Sequence, residues 1–448
     1  MPRASWRPLI GYSTNVHRGE DLKAIRRYLR EYTVPVRDRV YGRGAPAGLE
    51  LRLGARSAAD LGDPAARESF RAFLEDARLE LFSINAFPLL DFHARRVKEK
   101  VYRPSWAEPD RARITNDIAR IFAEILPAGG TGSISTLGGA FRRAPASLRS
   151  REGMARGYLD TVRHLARIEE ETGRTIVLAA EPEPETTLET VRDVVEFFEG
   201  SLLPIALGRS RGAGRARAEA ELRKFFTVNL DTCHASVLFE DPARSLRDLR
   251  KAGIEVGKLH VTSALSVRNP ARSPAYEDLK AMDEPRYFHQ FAGRDATGTV
   301  TWRGLDLDEL PERDEVRRRG IVELRSHYHV PLYRRKWKRL DTTREETRLA
   351  VLEAAAAKRC SHLVVETYTW PLLASEDRLV EGIAREIEWL LDTLAEAGVD
   401  ARGELRPGAS GAAAKPGASP YNRPRERTLL PRARRADPRP VRGRSRPG

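Results

Sequence analysis

TVNLDTCHAS, residues 227–236, is the stretch on which the fold turns. A short β-branched and apolar run leads into Asp231, and His234 follows three residues later. The run has the composition of a short buried strand. Asp231 alone is a suitable helix N-cap. With His234 it is also a pair of metal ligands at the mouth of a barrel. The segments on either side decide between these readings.

Outward from this stretch, apolar strands recur, each followed by an amphipathic or charged segment. They are PLIGYSTNV (8–16), GLELRLGA (48–55), LELFSINAFP (79–88), GSISTLGG (132–139) and TIVLAAEPEPE (175–185) before it. VGKLHVTSAL (256–265), VELRSHYHVPLY (322–333) and SHLVVETYTW (361–370) come after it. Alternation of strand and helix predicts a parallel α/β fold. Nine candidates against the eight strands of a closed barrel predict a (β/α)8 TIM barrel over residues 1–400, with the ninth extending a strand or pairing outside it. Residues 270–320 read as a polar, irregular insertion, and GRSRGAGRARAEAELR (208–223) as a basic surface loop.

Barrel chemistry sits at the C-terminal ends of strands, and the chemistry-bearing side chains of this chain gather there. The fifth strand ends in Glu181 and Glu183, and the sixth in Asp231 and His234. The seventh carries His260, the next His327 and His329, and the last Glu366. His327 and His329 are two apart, so an extended backbone turns both to one face and Tyr328 to the other. Asn15, Asn85 and His93 follow the early strands. Each residue alone has an ordinary structural explanation; their joint placement does not. Mixed carboxylates and imidazoles without thiolates suit Zn²⁺, Mn²⁺, Fe²⁺ or Co²⁺. Cys233 reads as a small packing residue.

The net charge of +14 belongs mostly to the C-terminus. Residues 401–448 hold 13 Lys and Arg against three Asp and Glu, a Pro-, Gly- and Arg-rich composition that predicts a disordered tail. The barrel is nearly charge-balanced, which argues against a groove for a phosphate backbone; only the tail could serve as an electrostatic arm for nucleic acid. No apolar run of membrane-spanning length occurs. Two cysteines, Cys233 and Cys360, form no disulfide framework, and the expected compartment is the cytoplasm.

The order of a strand-five Glu, the DTCH motif, a His, a paired-His strand and a terminal Glu resembles the xylose-isomerase-like TIM barrels, which include sugar-phosphate isomerases, epimerases and endonuclease IV. That resemblance implies a metal centre of Glu181, Asp231, His234, His260, His327, His329 and Glu366, with His327 in place of an Asp. IGYSTNVHRGEDL, FHARRVKEKVYRP, LDTCHASVLFED, SHYHVPLY and VETYTW resemble the EboE metabolite-traffic family. This implies work on a secondary-metabolite precursor of sugar, polyol or cyclitol type.

The expected activity is a metal-dependent isomerase or epimerase, with Glu181 and Glu366 as an acid/base pair. Asn15, Asn85, His93, Lys98, Arg103 and Glu183 are expected around the substrate, with Tyr368 and Trp370 as an apolar wall; Arg95 joins Lys98 and Arg103 as a candidate for an anionic group. The alternatives are an endonuclease-IV-like phosphodiester hydrolase and a metabolite-binding protein without turnover.

Overall fold

The computed structural model describes residues 6–208, 212–373 and 378–401. The expected basic tail, apart from Ala401, and part of the expected basic loop lie outside them. Fourteen strands are described: β1 (Leu9–Tyr12), β2 (Ala47–Arg52), β3 (Leu79–Asn85), β4 (Thr131–Leu137), β5 (Thr175–Glu181), β6 (Phe226–Asp231), β7 (Val256–Val261), β8 (Leu265–Arg268), β9 (Phe291–Arg294), β10 (Val300–Gly304), β11 (Glu323–Ser326), β12 (Lys336–Trp337), β13 (Leu340–Thr342) and β14 (His362–Val365).

Eight of them, in the order β1-β14-β7-β6-β5-β4-β3-β2, form an all-parallel sheet. A parallel bridge between Ser13 and Glu50 joins its two ends, giving a near-closed (β/α)8 barrel. Helices surround it, and local signals set their limits. Ser150 caps Arg151–Thr172, which stops at Gly173 with φ +66°. Asp241 accepts from two backbone N–H groups at the start of Pro242–Ala252, and Gly253 ends it. The largest buried side chains, such as Trp106 and Tyr158 (centroids 4.1 Å apart), pack between helices and sheet.

The closing seam depends on glycine. A Cβ on Gly48 would lie 2.5 Å from the Ile10 carbonyl oxygen and 2.7 Å from Phe82 Cε1. A side chain there would hold β1 away from β2.

The insertion differs from expectation. Residues 265–342 are not irregular: β8–β13 form a second, antiparallel sheet in the order β10-β9-β11-β8-β13-β12. It has its own core, including Leu265, Tyr276, Phe291, Val316, Leu324 and Tyr328. The paired-His strand is therefore not a barrel strand; β11 pairs with β8 and β9, and SHLVVETYTW supplies the eighth barrel strand. The ladder ends at Ser326, before the histidines. The physical reason is that β7 and β14 pair directly, Leu259 beside Leu363, leaving no room between them.

Arg325 pins this unit to the barrel. Its guanidinium donates to the Ser236 carbonyl (2.8 Å) and to the Glu346 carboxylate (2.6 and 2.9 Å). A second join runs from the segment after β3, where Val97 and Lys98 N–H groups donate to the Arg286 carbonyl at 2.8 and 3.0 Å.

Gly48→Ala is expected to lower unfolding free energy by roughly 1–3 kcal/mol, the usual range for forcing an atom into a packed contact. Gly200, whose added Cβ would have its nearest neighbour at 3.9 Å, is the control, expected to be neutral or slightly stabilised. Urea midpoints of the two variants check this.

Candidate metal centre

The two readings of Asp231 are both present, one on each carboxylate oxygen. Oδ1 accepts from the N–H groups of Cys233 (2.7 Å) and His234 (3.0 Å) and from the Thr262 hydroxyl (2.6 Å). It thus caps the helical turn Thr232–Val237. Oδ2 is buried without a hydrogen-bond partner. It lies 3.6 Å from His260 Nδ1 and 3.9 Å from His329 Nε2.

Around it, Glu181, Asp231, His260 and Glu366 bring one ligand-capable atom each to within 4.8 Å of one another. His260 Nδ1 stands 3.3 Å from Glu181 Oε1 and 3.2 Å from Glu366 Oε2. The amides of Asn15 (2.7 Å) and Asn85 (3.1 Å) donate to the other oxygen of Glu366 and fix its plane.

Beside this group stand three more imidazoles. His234 Nδ1 is 3.0 Å from the Pro182 carbonyl, and His329 Nδ1 contacts the Glu366 carbonyl. His327 Nδ1 is 2.7 Å from Gln290 Oε1, whose amide nitrogen is engaged with Tyr102 and the Pro184 carbonyl. A carbonyl only accepts, so each of these Nδ1 atoms carries the proton in the neutral ring. All three Nε2 atoms then present lone pairs. Those of His234 and His327 face each other at 3.0 Å, and that of His329 has no partner. Two facing lone pairs at that distance repel; a proton or a cation between them removes the conflict. The donor set of buried carboxylates and imidazoles fits a divalent cation. Asp231 with His234 and His329, and Glu183 with His234 and His327, form further groups that could hold one.

Charge interactions outweigh burial at several groups. Burial raises the Asp231 carboxyl, but His234 and His329 hold it well below the usual carboxylate range. Burial lowers His260, yet Glu366, Glu181 and Glu50 bring it well above the ordinary histidine value. Burial lowers His327 well below the ordinary histidine value, and its imidazole neighbours His234 and His329 lower it further by disfavouring a second charge. Glu183 is pushed up to about 7, chiefly by burial and with Glu181 adding to it, against His234, Tyr102 and Gln290.

A cavity of about 70 Å³ opens onto this floor. Its walls are aromatic, with Phe87, Phe92, Tyr102, Tyr287, Phe288 and Tyr368. The segment after β3 and residues 287–288 of the inserted unit roof it. Tyr368 packs against His329 with tilted rings, centroids 4.8 Å apart.

Of the residues singled out from sequence, Asn15, Asn85, Lys98, Glu181, Glu183, His234, His327, Glu366 and Tyr368 line the cavity. Asp231, His260 and His329 lie just beneath it. Lys98 is not free for an anion, because it is ion-paired with the buried Asp306. His93 sits behind the wall, its Nε2 2.8 Å from the Asn15 carbonyl. Arg103 and Trp370 do not reach the cavity. Arg103 is half exposed and pairs with Glu108 (2.8 Å), and Arg95 is exposed. The Trp370 indole N–H donates to Glu386 (2.7 Å) and its ring covers Gly382. Cys233 packs with Val237 and Ala264. Sequence reasoning missed Gln290, Tyr102 and, on the barrel interior, Glu50 and Lys258. A lone lysine two residues before His260 in an apolar strand was the available signal.

No family model and no curated protein matches the chain. Among solved structures it is similar to a xylose isomerase-like TIM barrel protein from Mycobacterium smegmatis in complex with magnesium, at 14% identity over 89% of this chain and 100% of that one, TM-score 0.46. A xylose isomerase domain protein from Planctomyces limnophilus is similar at 11% identity over 88% and 100%, TM-score 0.45. A 3-keto-D-glucoside 4-epimerase from E. coli is similar at 16% identity over 57% and 78%, TM-score 0.34. These likenesses concern the fold alone.

Asp231→Asn and His234→Ala are each expected to lower affinity for added Zn²⁺ or Mn²⁺ by about tenfold or more, since changes outside the ligand shell already cost 10–100-fold. The metal-linked rise in melting temperature should shrink with it. Elemental analysis and thermal scans with and without cation check both; equal occupancy in parent and variants would remove these residues from the centre.

Proposed function

We propose that this chain is a metal-dependent isomerase or epimerase acting on a small hydroxylated carbon skeleton. The observation that carries the proposal is the buried group of Glu181, Asp231, His260 and Glu366, with the unpartnered Asp231 Oδ2 and His329 Nε2 beside it, beneath a small, aromatic-walled cavity. Glu181, Asp231, His234, His260, His327, His329 and Glu366 would hold the cation. When bound, it supplies positive charge beside substrate oxygens and so favours negative charge developing there.

The remaining work belongs to side chains. Isomerisation removes a proton from a carbon next to a carbonyl and returns one to the former carbonyl carbon, whereas epimerisation returns one to the same carbon from the opposite face. Glu366 is poorly placed to move that proton, because Asn15 and Asn85 already occupy one of its oxygens. Glu183 is better placed: it lines the cavity, accepts from the Tyr102 hydroxyl at 3.1 Å, and is poised near neutral pH. The acid/base role expected of Glu181 and Glu366 is therefore reassigned to Glu183, with those two holding the cation. Phe92, Tyr287 and Tyr368 supply apolar faces for a ring and exclude water. The motif resemblance to the EboE family supports a secondary-metabolite precursor of polyol or cyclitol type as the substrate.

The size and roof of the cavity favour this reading over cleavage of a nucleic acid. The test is hydrogen exchange in D₂O: metal-loaded protein is incubated with pentuloses, hexuloses and inososes, and deuterium at the carbon beside the carbonyl is read by mass spectrometry. Exchange with at least one substrate is expected. Glu183→Gln should slow it about 10²-fold or more while metal content stays at the parent level. Cleavage of abasic duplex DNA without any exchange would replace the proposal with the hydrolase reading. Ligand binding without either reaction would replace it with a binding protein.

A further inference from the structure

The barrel interior below the centre holds charge where barrels ordinarily hold branched apolar side chains. Lys258 on β7 and Glu50 on β2 form an ion pair, both side chains completely buried. The pair spans the barrel, since three steps of the sheet order separate β2 from β7 through β1 and β14. Glu50 Oε2 also accepts from the Ser83 hydroxyl of β3 at 2.8 Å, and Lys258 donates to the Ser135 hydroxyl of β4 at 2.7 Å. The other oxygen, Glu50 Oε1, lies 3.2 Å from His260 Nε2. Lys258 and His260 are two apart on one strand, so they share the inward face at successive levels.

A buried ion pair is a weak device for stability, because desolvation offsets the attraction; apolar side chains of similar volume are often as good or better. The pair does, however, fix the ring above it. A carboxylate with no proton of its own only accepts, so the His260 nitrogen facing it must be Nε2–H. Nδ1 is left to the centre, 3.2 Å from Glu366, 3.3 Å from Glu181 and 3.6 Å from Asp231.

We propose that Glu50, held in place by Lys258, is a positioning residue that sets the tautomer and ring plane of His260 so that Nδ1 is the atom offered to a cation between Glu181, Asp231 and Glu366. This rests on reading that group as a metal centre, and the experiment separates the two. In ¹⁵N-histidine spectra of Zn²⁺-loaded parent protein, His260 should carry its proton on Nε2. The double variant Glu50→Leu with Lys258→Met should keep or raise the unfolding midpoint, bind Zn²⁺ about 10–100-fold more weakly, the range for loss of an outer-shell partner, and lose that spectral signature. Glu50→Gln with Lys258→Met retains an acceptor oxygen and should recover most of the affinity. A purely structural pair would give the reverse, a lowered midpoint with Zn²⁺ affinity unchanged, and that result overturns the proposal. A parent spectrum with the His260 proton on Nδ1 overturns it too, whether or not the variants fold. A parent that binds no Zn²⁺ or Mn²⁺ would instead sink the metal centre itself.

Discussion

One oxygen of Asp231 holds the first turn of a helix and the hydroxyl of Thr262; the other holds nothing. This division links the fold to its chemistry. The capped turn places His234, and Thr262 ties the end of β6 to the residues just after β7. The unpaired oxygen is therefore aimed by the same contacts that shape the backbone. Burying a carboxylate is costly, and here the surrounding imidazoles outweigh that penalty on its charged form. The strands of a parallel barrel end on one rim, so the same constraint acts on Glu181, His260 and Glu366, which arrive from three different strands. His234 follows on the turn after β6, whereas His327 and His329 come from the inserted unit, just after β11.

Much of this was legible because apolar runs that stop abruptly are easy to see. LDTCH, AAEPEPE and VVETY each end a buried strand in polar residues of the candidate site, and the barrel and the gathering of five of those residues at one end of it follow from that. The period-two spacing of His327 and His329 correctly placed both rings on one side and Tyr328 on the other, where it stacks on His289 at 4.2 Å. Which of the nine candidates pairs outside the barrel was not legible, because pairing partners leave no trace in a run of four residues. The inserted sheet was unreadable for a similar reason: its strands are two to five residues long and rich in polar side chains.

Neighbourhood in sequence also misled where direction mattered. Arg103 follows Tyr102, a wall residue, yet points to solvent. Trp370 follows Tyr368 by two, yet begins a helical turn and faces Gly382. Glu50 and Lys258 were passed over because a charge inside a strand ordinarily marks its wet face; here both lie on the dry one. Only the closed barrel reveals that two such residues, more than two hundred positions apart, neutralise each other.

The excursion from β7 to β14 leaves and re-enters the barrel between adjacent strands. The sheet within it, over residues 265–342, has a separate core, and the eight barrel strands pair without it. The carboxylates and His260 are held by barrel strands and the residues just after them, whereas His327, His329 and Gln290 are delivered by the inserted sheet, so the two sides of the cavity are built by separate cores.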